Sequence, residues 1–151
     1  MKRGEGWERE LVAQHEIYRR EQRATILRVH PEVRVTAVRA GYLTGRFAGS
    51  GPPDFVGVLN DGQGIAADAK SSERAYLLMS AIPRHQALDL TAWADRGGMA
   101  LILARLGDAG SWVIDWRIVG AVWWARLPAW HSGDLGGTPM QGADWLSALG
   151  R

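Results

Sequence analysis

Two aspartates and a lysine carry the chemistry that this sequence suggests most directly. Asp54 follows two prolines, Asp68 lies fourteen positions later, and Lys70 comes two positions after Asp68. On a β-strand, residues two apart point to the same face, so Asp68 and Lys70 would share one. A hairpin between the two segments would bring Asp54 beside them. Two carboxylates at that range raise each other's pKa unless a divalent cation lies between them.

This set of residues would suit the cleavage of a phosphodiester bond. That reaction needs a deprotonated water in line with the leaving oxygen, and a cation that neutralises the charge building on phosphorus. Asp54 and Asp68 would hold a hard cation such as Mg²⁺, for which Mn²⁺ can substitute, with the backbone carbonyl of Ala69 as a further ligand. Lys70 would orient the water or steady the phosphate. The alternative for each acid is a turn or edge-strand residue that faces water.

The hairpin that this geometry requires is predicted by the sequence itself. Two short apolar runs, 54–59 and 64–70, flank the turn signal Asn-Asp-Gly at 60–62. Upstream, apolar residues at near-helical spacing among charges predict an amphipathic helix over about 4–22. The acids therefore lie on a local β-structure that follows a helix.

The other segments predict further helices and strands. Pro83 suits the first turn of a helix that the glycine pair at 97–98 would end. The dense glycines and prolines of 40–53 predict a mobile loop or projecting arm. We expect extended structure over 24–38, broken at Pro31, strands over 99–104 and 111–116, a helix over 118–126, and an irregular tail after it.

Length and composition fit one globular domain. The chain has 151 residues, long enough for one core but not for two full domains. It contains no cysteine, which excludes disulfides, zinc-thiolate sites and a cysteine nucleophile. The net charge is only +2, although a pI near 9.4 is compatible with a phosphate-binding face. Without an apolar run long enough to cross a bilayer or an apolar signal segment, we expect a cytoplasmic protein.

The spacing of the acids and the lysine resembles the core motif of the PD-(D/E)XK nuclease superfamily. The motif reads here as Pro53-Asp54 followed by Asp68-Ala69-Lys70. The resemblance implies an α/β fold with a restriction-endonuclease-like core, in which helices flank a mixed central sheet. The predicted order of elements agrees with the α-β-β-β-α-β layout of that core.

Within the superfamily, most of the chain is similar to the RecU-type Holliday junction resolvases. Its opening helix has that family's spacing of glycine, aromatic, acidic and tyrosine residues, and Glu8 falls on the family's helical acid. The pair His85-Gln86 resembles the one that opens the helix after the catalytic strands. The resemblance implies that Glu8 belongs to the metal shell and that Gln86 supports the water or the phosphate. It implies an Mg²⁺-dependent endonuclease that cuts four-way DNA junctions symmetrically in recombination and repair.

The resemblance also assigns the Gly/Pro-rich segment to the stalk of that family, which enters the junction centre. We expect one nuclease domain over 1–151, with a projecting arm at about 39–53 and a C-terminal tail at about 127–151. The arginines of the arm offer phosphate contacts and its aromatic rings offer stacking surfaces, with a merely soluble loop as the alternative. The residues that we expect to bind DNA are Lys2, Arg3, Arg39, Tyr42, Arg46, Phe47 and Ser71.

Two positions depart from the family pattern. Asp68 stands where the family usually has Glu, which shortens the reach to the metal by one methylene and keeps the ligand type. His15 stands where an Asn is expected, about one helical turn before Tyr18. Both departures suggest a divergent member from a bacterium or a phage. Junction selectivity rests on the resemblance, whereas the hydrolytic chemistry also rests on the residues themselves.

The symmetry of the implied substrate favours a homodimer. A four-way junction is cut on two symmetric strands, which a two-fold dimer with two active sites matches. Seven of the eight tryptophans lie at or after Trp93, and Trp123 and Trp124 are adjacent, so they cannot both face one core. One of the pair would face a partner subunit, with simple core packing as the alternative.

Two other functions remain open at the level of sequence. One is a PD-(D/E)XK endonuclease that acts on linear duplex DNA. The other is a non-catalytic DNA-binding module whose nuclease site is vestigial. The complete set of Asp54, Asp68 and Lys70 argues against the second, because a vestigial site tends to lose a member.

Overall fold

The structure is a computed structural model that describes residues 4–30, 33–47 and 52–151, with the backbone alone for 33–36 and 43–47. A six-stranded mixed sheet forms its centre and helices pack on both faces, which confirms the predicted α/β fold class. The helices are α1 (Glu5–Arg20), α2 (Arg84–Asp95), α3 (Trp116–Trp124) and α4 (Trp145–Ala148). The strands are β1 (Ala24–Arg28), β2 (Val33–Arg39), β3 (Tyr42–Phe47), β4 (Phe55–Leu59), β5 (Gly64–Ser72), β6 (Tyr76–Leu78), β7 (Met99–Leu106), β8 (Ser111–Asp115), β9 (Ala129–His131) and β10 (Gly137–Met140).

The strands of the central sheet follow the order β1-β4-β5-β7-β8-β10. Strands β5 and β7 are parallel, and the other neighbours in this sheet are antiparallel. Antiparallel neighbours need only a short turn, whereas the parallel pair needs a crossover, which includes α2. The hairpin predicted over 54–70 is confirmed, with Phe55 opposite Ala67.

Alternation along β5 decides which side chains meet which layer of helices. Ile65 and Ala67 join the core on the α1 and α4 face, and Ala66 joins the core on the α2 and α3 face. Because residues two apart share a face, Asp68 and Lys70 lie on the α2 side together with Ala66. The sheet therefore presents the two candidate site residues of β5 to α2.

The helices begin and end where the sequence supplies the appropriate residues. Pro83 precedes α2, and Gly97 adopts the left-handed conformation (φ +85°) shortly after its end. Asp115 caps α3, because its Oδ1 accepts a hydrogen bond from the Arg117 amide at 2.9 Å. Within the described ranges, no helix has both the length and the apolar character that crossing a membrane requires.

A separate two-stranded sheet, β2 with β3, occupies the region of the predicted arm. Its turn is formed by Ala40 (φ +47°) and Gly41 (φ +80°), the left-handed pair that a tight two-residue hairpin requires. Residues 42–47 therefore form a strand rather than the predicted loop, because Gly41 lies in the turn of the hairpin and does not interrupt a strand. Residues 31–32 and 48–51 lie outside the described ranges, and the projection of the arm stays a prediction.

The expectation of an irregular C-terminal tail is wrong. The tail contains β9, β10 and α4, and Trp145 of α4 is fully buried (0% exposed) in the core beneath α1. The Nε1 of Trp145 donates a hydrogen bond to the Nε2 of His15 at 3.0 Å. Burial lowers the pKa of His15 to about 4, so its imidazole is neutral and can accept this bond. His15 is thus a structural residue that links α1 to the end of the chain.

Candidate active site

The hairpin of β4 and β5 places the two aspartates against each other. Asp54 directly precedes β4, and the pairing of Phe55 with Ala67 brings it opposite Asp68. The Asp54 amide donates a hydrogen bond to Oδ1 of Asp68 at 3.0 Å, and the Ala69 amide donates one to Oδ2 of Asp54 at 2.9 Å. These two bonds fix both carboxylates through the backbone of the opposite strand.

Asp68 is the more deeply buried of the two acids. Its side chain is fully buried (0% exposed), and its Oδ2 has no hydrogen-bond donor. Burial, followed by the charge of Asp54, raises the pKa of Asp68 to about 6. The amide of Asp54 and the ammonium of Lys70 act in the opposite direction. The site therefore contains a buried carboxylate oxygen that accepts no hydrogen bond from any residue the structure describes.

A divalent cation fits this donor set. An unpartnered buried carboxylate oxygen costs free energy, which an ion with oxygen ligands removes. Asp54 and Asp68 offer only carboxylate oxygens, which suit Mg²⁺, and the carbonyl of Ala69 as a further ligand stays a prediction. Within the described ranges, no three His, Asp or Glu side chains lie close enough together to hold an ion by themselves. An ion here would complete its shell with backbone oxygen and water.

Lys70 lies on the same face as Asp68, two residues along β5. Its Nζ donates a hydrogen bond to Oε1 of Gln86 at 2.6 Å, which ties β5 to the first turn of α2. Burial lowers the pKa of Lys70 below its usual range, although the nearby charges of Asp68, Asp54 and Glu8 oppose this shift. Lys70 and Gln86, separated by sixteen positions in the sequence, are therefore direct neighbours in the site.

Glu8 reaches the site region from α1, on the other face of the sheet. Its Oε2 accepts a hydrogen bond from Nη2 of Arg28 at 2.7 Å, so the two form an ion pair at the end of β1. The charge of Glu8 acts on Lys70. Glu8 is therefore near the lysine but engaged with an arginine, and its place in the metal shell stays a prediction.

The structure describes the side chains of three of the seven residues predicted to bind DNA. Arg39 and Tyr42 flank the turn of the β2-β3 hairpin, where both are exposed and Tyr42 is 79% accessible. Ser71 is exposed on β5, immediately after Lys70. The other predicted DNA contacts lie outside the described residues or side chains: Lys2, Arg3, Arg46 and Phe47.

Sequence reasoning missed two charged residues near the site. Arg28 ends β1 beside the start of β4, and a basic residue that follows an apolar strand gives no signal of its own. Asp89 lies one helical turn after Gln86, and its charge is among those that raise the pKa of Asp68. The sequence did contain one indication of its place, because residues three positions apart, such as Gln86 and Asp89, are neighbours on the surface of a helix.

The arrangement of helix, hairpin, crossover helix and parallel strand is that of the PD-(D/E)XK nuclease fold. Hjc, a Holliday junction resolvase from the archaeal hyperthermophile Archaeoglobus fulgidus, shares this fold with a TM-score of 0.51. The two chains are 16% identical, and the match covers 76% of this chain and 78% of that one. At that identity the likeness shows the fold alone.

The family follows from the sequence. The family model for RecU, described as Recombination protein U, matches residues 2–125. The chain therefore belongs to the RecU family of Holliday junction resolvases and is a nuclease, which confirms the resemblance that the motifs indicated. A comparison with curated protein sequences found no match.

Proposed function

We propose that this protein resolves four-way DNA junctions by metal-dependent hydrolysis of phosphodiester bonds, with Mg²⁺ as the cation and Mn²⁺ as a substitute. The observation that carries the proposal is the environment of Asp68, whose side chain is fully buried. Its Oδ1 accepts a hydrogen bond from the Asp54 amide, whereas its Oδ2 accepts none. Burying such a group is costly unless a ligand compensates for it. A divalent cation is the compensating ligand that suits an oxygen-only site.

Asp54, Asp68 and the carbonyl of Ala69 would hold the cation, and Glu8 would join its shell from α1 only after its side chain leaves Arg28 and moves toward the two aspartates. When bound, the cation supplies charge neutralisation at the phosphate and makes water a stronger acid. The backbone hydrogen bonds of Asp54 and Asp68 keep the carboxylates in place before substrate arrives. This preorganisation avoids reorganising them during the reaction.

Lys70 would position the attacking water or steady the scissile phosphate. Gln86 fixes the direction of its ammonium group through the 2.6 Å hydrogen bond. Because burial lowers the pKa of Lys70, it also gives up a proton more readily than a solvated lysine. The Lys70 ammonium is held by Gln86 and lies near the charge of Asp68. This position suits contact with a phosphate that approaches from solvent.

Glu8 has to exchange its partner to take part. In the structure it is paired with Arg28 at 2.7 Å, and both side chains are partly exposed. A DNA phosphate near Arg28 would compete for the guanidinium and leave Glu8 available to the cation. Such an exchange costs little, because partly exposed ion pairs are weak.

The hairpin of β2 and β3 would contact the junction centre through Arg39 and Tyr42, whose exposure suits phosphate contact and base stacking. A homodimer would supply two such sites for the two strands that are cut. Trp124, 46% exposed, is a candidate for the dimer surface. We place this activity with the DNA of a bacterial or phage-infected cell.

The test compares the cleavage of a synthetic four-way junction with that of its separate duplex arms, in Mg²⁺. We expect cutting of the junction and little or none of the arms. Equal rates on both would support an endonuclease of linear duplex instead. Binding of the junction without cleavage in either Mg²⁺ or Mn²⁺ would support a non-catalytic DNA-binding module.

A further inference from the structure

Helix α2 carries an acidic residue, Asp89, over the strand that holds Asp68. Two contacts fix the helix along β5. At one end, Lys70 bonds to Gln86 at 2.6 Å. At the other end, the Trp93 ring packs so closely on Gly64 that a Cβ there would lie 3.3 Å from its Cζ3 atom. Residues 86, 89 and 93 are spaced three and four apart, so Asp89 lies between the two contacts, on the side of α2 that carries Gln86 and Trp93.

Asp89 has the surroundings of a site residue rather than of a solvated helix acid. It is half-buried, and its charge reaches Asp68. Neither a hydrogen bond nor an ion pair joins Asp89 to any other residue that the structure describes. The charges of Asp54 and Asp89 therefore both act on Asp68, whose Oδ2 is buried and unpartnered, and Lys70 is the nearby cationic side chain.

We propose that Asp89 is a further residue of the cation site, where it accepts hydrogen bonds from the water shell of the ion. The inference rests on the proposed function. The role is in the water shell rather than direct ligation, because in the structure no three acidic or imidazole side chains of the described ranges share an ion site, and the contacts of Gln86 and Trp93 hold α2 in place. Mg²⁺ usually keeps several waters, and carboxylates that bind those waters orient them and add to affinity. Asp89 is thus a positioning residue on α2, opposite the hairpin that carries Asp54 and Asp68.

The experiment measures the binding of Mn²⁺ by calorimetry to three variants of the full chain. Asp89→Asn should weaken binding by about 10-fold, the lower end of what loss of an outer-shell partner costs. Asp95→Asn is the matched control, since it removes an exposed charge from the same helix and should bind as the parent does. Asp68→Asn should abolish binding. In cleavage assays, more Mn²⁺ should restore the maximal rate of Asp89→Asn but not that of Asp68→Asn.

The outcomes separate this inference from the proposed function. If Asp89→Asn binds Mn²⁺ as tightly as the parent while Asp68→Asn does not bind, the role of Asp89 is overturned and the site stands. If Asp68→Asn binds as the parent does, the cation site itself is overturned. Should Asp89→Asn fail to fold, as judged by circular dichroism, Asp89→Ser makes the same test, because serine is also small, polar and uncharged.

Discussion

Replacing Asp68 with asparagine should stabilise the cation-free protein at high pH. Burial, followed by the charge of Asp54, raises the pKa of Asp68 from 3.8 to about 6. The difference corresponds to about 3 kcal/mol, at 1.36 kcal/mol for each tenfold change in proton affinity. Because Asp68 is fully buried, solvent screening does not reduce this value appreciably. The ionised carboxylate is therefore a destabilising group until a cation binds to it.

The sign of the pH dependence follows from the proton that Asp68 holds. Between about pH 4 and pH 6, the folded protein keeps this proton while the unfolded chain has released it. The free energy of unfolding therefore falls as the pH rises through this window and stays lower above it. Asparagine does not ionise, so Asp68→Asn should match the parent near pH 4 and exceed it by about 3 kcal/mol at pH 8.

The assay is urea unfolding of the parent and Asp68→Asn from pH 4 to pH 8, with a chelator present. Asp108→Asn is the control, because Asp108 is exposed and its removal should leave the pH profile unchanged. Addition of Mg²⁺ at pH 8 should stabilise the parent and not Asp68→Asn. Parallel profiles for the parent and Asp68→Asn would show instead that Asp68 carries no buried charge.

Three other substitutions test separate parts of the structure. Lys70→Ala should slow junction cleavage by about 100-fold or more while gel-shift affinity for the junction is kept; equal losses of binding and cleavage would contradict the assigned role. Glu8→Gln should raise the Mg²⁺ concentration for half-maximal cleavage by about 10-fold, and an unchanged value would remove Glu8 from the cation shell. Trp145→Ala should cost about 3–5 kcal/mol in urea unfolding, against less than about 1 kcal/mol for Leu135→Ala, because Leu135 is exposed; equal costs would contradict the packing of the tail.

The part of the site that lies on the hairpin is predictable because its determinants are local. The Asn-Asp-Gly turn sets the register of β4 and β5, and the register places Asp54 opposite Asp68. Strand alternation then places Lys70 on the same face. Gln86 could be predicted as a site residue only from the resemblance to a known family. Its contact with Lys70 depends on how α2 packs and not on any spacing in the chain.

The features that the sequence did not reveal depend on contacts between distant segments. His15 and Trp145 meet across 130 positions, so neither the tail nor the reason for a histidine in α1 could be inferred from local patterns. The β2-β3 hairpin is a different case, because its Ala40-Gly41 turn is local but lacks the usual Asn-Gly signal. Glycine density there favoured a loop, although the glycine is what allows the turn.

Junction resolution by Asp54, Asp68 and Lys70 is tested most directly by cleavage of an end-labelled four-way junction in Mg²⁺, with the cut positions mapped on all four strands. We expect the parent protein to make paired nicks at symmetric positions near the branch point, and Asp68→Asn to bind the same junction without cutting it. Cleavage by Asp68→Asn at the rate of the parent, or no cleavage by the parent, would contradict this expectation.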